Sequence, residues 1–324
     1  MVTRRELLRT LTATYVASAF GRTAAAASIK YGYAAITWGN DVMQAIDDVA
    51  AVGFRGIQLR TGDGTLARWG DKPAALGELL AKRSLTFVAL SSGNLVVDPA
   101  REQDQLATHV SHARFVKDAG GLYLQVIDER PKGRPIVADD YRRLGRLMTE
   151  LGKRAGDLGV TLVYHHHMNS LGERPDEVAA VLDAADRRHV RLLFDVAHYQ
   201  QAGGDPVRGL RQYKEWLQLI HLKDVRSGRS GGSGGSAGSG GSGGSSRAGG
   251  SGGSGAPGVS AAYQFVELGR GRVDLAGVFG ALRDVGYDGW AVVELDRVPE
   301  AGRTPRECAE INKRYLVDVM RVPV

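Results

Sequence analysis

Residues 160–167 read VTLVYHHH, a short apolar run that stops on three histidines. Consecutive β-branched, aliphatic and aromatic residues make a strand covered on both faces, the type found in parallel sheets. Three later runs are built the same way: VRLLFD (190–195), WLQLIHLKD (216–224) and WAVVEL (290–295). Four earlier ones complete the series: YGYAAI (31–36), GIQLR (56–60), LTFVAL (85–90) and LYLQVI (122–127). Between and after them lie longer amphipathic stretches, over about 41–52, 72–83, 100–119, 139–157, 175–186, 206–213, 275–285 and 305–320. Strands alternating with helices predict βα units. Eight strands, each with a helical partner, predict an α/β fold, a single-domain (β/α)8 TIM barrel. No G-x-G-x-x-G opens the first unit, so a dinucleotide-binding sheet has no support.

Two segments stand outside this pattern. Residues 1–27 carry TRRELLR at 3–9, continue through LTATYVASAF and end in AAAA. A basic start, a short apolar centre and a small-residue end form a twin-arginine-like export signal. The reading is an exported protein, with a cytoplasmic one as the alternative. The second segment, 227–256, holds 15 glycines and 10 serines, a flexible composition with no chemistry of its own. It interrupts the barrel region 28–324 after the seventh strand. The remaining chain is long enough for a large core without staples, and a lone Cys308 excludes both a disulfide framework and a cysteine-built zinc site.

The formal charge of +6 is no nucleic-acid footprint, because Arg4, Arg5, Arg9 and Arg22 against Glu6 supply half of it. The apolar centre of residues 1–27 is too short to span a bilayer, and no other apolar stretch approaches the roughly 18 residues needed. The expected partner is a small molecule. Oligomeric state stays open, a homo-oligomer included.

In a barrel, the carboxyl ends of the strands carry chemistry. Five of the eight histidines gather at or just past the ends of consecutive strands: His165, His166, His167, His198 and His221. With Asp195 and Glu294 they offer a histidine, a carboxylate, a histidine and a carboxylate from four adjacent strands. His165, Asp195, His221 and Glu294 are therefore the expected ligands of a divalent metal. Mixed nitrogen and oxygen donors suit manganese or cobalt first, and also zinc or iron. Each residue alone has a plain alternative, such as a helix cap for Asp195 or a satisfied core histidine for His221. Strand alternation turns His165 and His167 to the mouth and His166 away. His167 and His198 are expected beside ligand or substrate, and Lys223 beside an oxyanion or hydroxyl. Trp38, Asn94, Asp128 and Glu129, near the ends of earlier strands, are candidate substrate contacts.

The segments ITWGND (36–41), LVYHHHMNS (162–170), LLFDVAHYQ (192–200), IHLKDVR (220–226), GRGRVDLAGV and GYDGWAVVELD (286–296) resemble the xylose isomerase-like barrels. That group comprises sugar isomerases, epimerases and dehydratases. Within it, the resemblance is strongest to the inosose dehydratase family. The resemblance implies a hydro-lyase that removes water from a keto-polyol such as 2-keto-myo-inositol through an enolate, with Glu294 both ligand and base. It leaves the acid open among His198, His167 and Lys223. Sugar epimerases of this group carry a glutamate near position 165, where this chain has His165. That departure removes one of their two bases and favours dehydration. The alternatives are a sugar isomerase or epimerase, a 3-keto-glycoside lyase, or a barrel that binds sugar without catalysis.

Overall fold

The computed structural model describes residues 29–227 and 263–324. The expected export signal and nearly all of the glycine/serine tract lie outside the described residues. Eight parallel strands close into a barrel: β1 (Lys30–Ala34), β2 (Gly56–Arg60), β3 (Thr86–Leu95), β4 (Tyr123–Asp128), β5 (Thr161–His165), β6 (Val190–Asp195), β7 (Leu217–Leu222) and β10 (Trp290–Val293). β1 pairs with β2 on one side and β10 on the other, which closes the circle. The expected single-domain barrel is present.

Period-two alternation sorts the strand residues between two cores. Leu162, Tyr164, Leu192, Phe194, Ile220 and Val293 face outward into the layer shared with the helices. Val163, Leu193, Leu219 and Val292 face inward, and with Ala34, Val88, Ala89 and Trp290 they plug the lumen. Each plug side chain is fully buried or nearly so, a gain of about 1.5–3 kcal/mol for each large aliphatic one. Gly56 is part of the plug's fit, since a Cβ there would stand 2.5 Å from the Trp290 ring.

The strongest departure from expectation lies after β7. The run 216–224 is one strand on apolarity, but it breaks at Lys223. A new strand β8 (Asp224–Ser227) pairs antiparallel with β9 (Tyr263–Val266), so the glycine/serine tract joins the two strands of a ribbon. Asp224 anchors this ribbon. Its carboxylate accepts from the backbone N–H of Val225, Gly269, Gly271 and Val273 at 2.9–3.1 Å. A Cβ on Gly271 would lie 2.1 Å from Asp224 Oδ1, which explains glycine in the GRGRVD segment.

Two short helices also escape the sequence pattern: α2 (Thr65–Trp69) and α7 (Val196–Gln201). The final helix, expected to run to 320, is α-helical only over Pro305–Arg314 and ends in a π-turn, Tyr315–Val319. Among the described residues, no helix is long and apolar enough to cross a membrane.

Candidate active site

Two residues beyond four of the plug residues, on the same inward face, stands an ionisable one. Val163 is followed by His165, Leu193 by Asp195, Leu219 by His221 and Val292 by Glu294. The structure brings these four together at the carboxyl end of the barrel. Asp195 Oδ2 lies 3.6 Å from His165 Nε2 and 3.5 Å from His221 Nδ1. His221 Nδ1 is 3.5 Å from Glu294 Oε2. The side chains are 0–7% exposed.

Burial at this level demands partners. Yet His165 Nε2, Asp195 Oδ2 and His221 Nδ1 have no hydrogen-bond partner. They face one another across a gap slightly too wide for a good hydrogen bond. Donors held about 2.1 Å from a shared divalent ion stand roughly 3.0–3.4 Å apart, close to the separations here. Asp195, His221 and Glu294 keep their donor atoms within 4.8 Å of one another, and so do His165, Asp195 and His198. The donor set therefore fits a divalent cation.

Asp195 also caps α7, because Oδ1 accepts from Ala197 and His198 N–H at 2.9 and 2.8 Å. The cap and the inward-facing oxygen are two ends of one carboxylate. Capping fixes the side chain so that Oδ2 points to the histidines, and it sets His198 at the rim. His166 turns outward between Phe194 and Tyr199 and accepts from Asp195 N–H at 3.3 Å. His167 remains at the mouth, its ring 3.9 Å from that of His198.

Lys223 sits at the break between β7 and β8 and is fully buried. Nζ donates to Glu294 Oε1 at 2.9 Å and to Asp296, lies 3.3 Å from His198 Nε2, and stacks 4.1 Å from the centre of the Phe265 ring. Burial opposes its charge, but Asp296, Glu294 and Asp195 outweigh burial and hold its pKa above the ordinary lysine value. Burial likewise works against ionised Glu294, while His221 and Lys223 pull its pKa below the usual carboxylate range. Burial lowers His165 to about 4 and holds His198 well below its ordinary value.

Four expected substrate contacts fare differently. Trp38 donates its indole N–H to Asp48 at 2.8 Å and packs edge-on against Tyr33, so it belongs to the layer between β1 and helix α1 (Val42–Val52). Asp128 accepts from Tyr164 OH at 2.7 Å and from Leu171 and Gly172 N–H, anchoring the loop after β5. Both therefore do structural work where a free mouth residue was expected. Asn94 lies exposed on β3, and Glu129 is partly exposed at the rim beside Lys132. Sequence reasoning missed Gln58, Gln125 and Phe265. The two glutamines had a signal, a single amide inside each of the apolar runs GIQLR and LYLQVI.

A family model described as a xylose isomerase-like TIM barrel matches residues 46–314. The chain belongs to this family. An inosose dehydratase of Lacticaseibacillus casei is 28% identical over 322 residues, covering 91% of this chain and 99% of its own. One from Bacillus velezensis is 25% identical over 311 residues, covering 89% and 95%. Among solved structures, the IolI protein with a bound zinc atom aligns with a TM-score of 0.69 at 19% identity, over 90% of this chain and 98% of its own. The probable 3-DHS dehydratase AsbF of Bacillus anthracis aligns at 0.65 and 14% identity, over 89% and 99%. At these identities the structural likenesses speak for the fold.

Proposed function

We propose that this chain is a divalent-metal-dependent dehydratase acting on a keto-polyol of the 2-keto-myo-inositol type. The observation that carries the reading is the trio of buried, unpartnered atoms His165 Nε2, Asp195 Oδ2 and His221 Nδ1 facing Glu294. The named relatives, matched over nearly their whole length, supply the substrate class.

His165, Asp195, His221 and Glu294 would hold the cation, with manganese or cobalt the first choices for this donor set. When bound, it would polarise the substrate carbonyl and make the neighbouring C–H acidic. The remaining work falls to side chains. Elimination breaks that C–H bond and the C–O bond to the β-hydroxyl, forms a C=C bond, and releases water once the leaving oxygen gains a proton. Glu294, kept ionised beside His221 and Lys223, takes the proton from carbon. Lys223, held as an ammonium between Glu294 and Asp296, would supply positive charge near the oxygen where negative charge develops. The departing hydroxyl would regain the proton that Glu294 took from carbon, by way of His198, which Lys223 Nζ links to Glu294 and on which His167 stacks. Asn94 and Glu129 at the rim meet substrate hydroxyls.

The test is product analysis by mass spectrometry on 2-keto-myo-inositol, with metal-stripped protein and protein resupplied with manganese or cobalt. Metal-dependent loss of one water supports the reading. Folded, metal-loaded protein that leaves inosose intact but isomerises a free sugar would replace it with an isomerase on the same barrel. We also propose export through residues 1–27, tested by cell fractionation of the wild type and an Arg4→Lys/Arg5→Lys variant; cytoplasmic retention of both would refute it.

A further inference from the structure

Beneath the four converging side chains, two glutamines bridge the two inner histidines. His221 Nε2 lies 2.9 Å from Gln58 Oε1, Gln58 Nε2 lies 2.6 Å from Gln125 Oε1, and Gln125 Nε2 lies 2.9 Å from His165 Nδ1. Both glutamines are buried, so each of these contacts must be a hydrogen bond of defined direction.

A glutamine end is either a donor or an acceptor. The central contact needs one of each. If Gln58 donates to Gln125, then His221 donates to Gln58 and His165 accepts from Gln125. If both amides turn over, every arrow reverses. In either state a neutral His221 and a neutral His165 are opposites: one uses its outer nitrogen as a donor, the other as an acceptor. Their inner nitrogens are opposite too. One turns a lone pair towards Asp195 and Glu294, and the other turns an N–H.

We propose that Gln58 and Gln125 are positioning residues that make the two histidines unequal, so that only one of them is ready to be a metal ligand at a time. In the observed direction His221 Nδ1 offers the lone pair, completing the group Asp195, His221 and Glu294, while His165 points an N–H at Asp195 Oδ2. Recruiting His165 as well sets the two amide nitrogens against each other and breaks the central bond. The relay thus makes the fourth ligand conditional. The metal part of this inference rests on the proposed function; the hydrogen-bond direction does not.

Two experiments follow. The first is 15N NMR of histidine-labelled, metal-free wild-type protein at pH 8, with His165→Asn and His221→Asn for assignment. The relay predicts matched tautomers, with both rings protonated at Nε2, or both at Nδ1 if the amides are reversed. A mixed pair, His165 at Nδ1 and His221 at Nε2, overturns the proposal whatever the enzyme's activity. The second is a calorimetric titration with Mn2+. In Gln125→Glu one carboxylate accepts from both His165 and Gln58, and in Gln58→Glu one accepts from both His221 and Gln125. Each single substitution relieves the conflict and is expected to tighten binding by about tenfold or more, the scale on which partners of ligating histidines act. The double variant sets two carboxylates face to face and loses the gain. If instead affinity rises further in the double variant, added charge is responsible and the relay is refuted. Unchanged affinity in both folded single variants also refutes it.

Discussion

Lys223→Met removes one positive charge from between Glu294 and Asp296 and preserves most of the packing, because methionine keeps the apolar stem. Lys223 is fully buried and its Glu294 partner is 7% exposed, so the carboxylate left behind has little water to turn to. Breaking such a pair from one side costs about 3–5 kcal/mol. The lost contact with the Phe265 ring adds ~1 kcal/mol, and the quarter exposure of Asp296 offsets a similar amount. The expected loss in metal-free protein is therefore about 3–5 kcal/mol, or roughly 6–10 °C in Tm for a chain of this size. Urea unfolding of metal-stripped wild type and variant measures it. Adding a divalent cation puts positive charge back beside Glu294, so the deficit should shrink by about 1 kcal/mol or more. A metal-free loss below about 1 kcal/mol, or a deficit indifferent to the cation, would refute the reasoning. Lys223 would then be no more than a surface-like pair.

Three further outcomes are expected. Asp195→Asn keeps the Oδ1 cap on α7 but loses the charge of Oδ2, so divalent-metal affinity should fall by more than about 100-fold with helix content by circular dichroism unchanged. Burial lowers His109 and His165 to about 4 and His166 to about 3, from an ordinary 6.5. These histidines are folded in as neutral rings, so their contribution is complete above 6.5 and is lost as pH falls from 6.5 through about 4 for His109 and His165 and about 3 for His166, a window that urea unfolding of metal-free protein reads directly. Asp128→Ala strands Tyr164 OH and two backbone N–H groups, costing about 1–3 kcal/mol for each donor left dry, while titrated metal affinity stays at the wild-type value.

The ligand layer was legible because a barrel strand repeats every two residues. Once VTLVYH, VRLLFD, LQLIHL and WAVVEL are recognised as strands, Val163 and His165, or Leu219 and His221, must share a face. The same rule read His166 as turned outward. It fails just past the strand end, where the backbone is no longer extended. There Trp38 turned to Asp48. Asp128 is instead the last residue of β4, three residues after the inward-facing Gln125, so alternation itself places it on the outward face, toward the loop at Leu171. The β8–β9 ribbon was hidden because YQFV is short and pairs with a segment on the far side of the glycine/serine tract, so neither strand has a local signal for the other. Helix α7 was hidden because six residues carry too little periodicity, although its cap, Asp195, was already singled out. Gln58 and Gln125 were overlooked because each is one amide in an apolar run, and their bridging depends on the barrel closing.

The most direct test titrates metal-stripped protein with manganese or cobalt and follows dehydration of 2-keto-myo-inositol against equivalents bound. The account predicts no turnover at zero metal, a linear rise to one equivalent per chain, and a plateau. Turnover undiminished in stripped protein, or one bound equivalent without any dehydration, would contradict it.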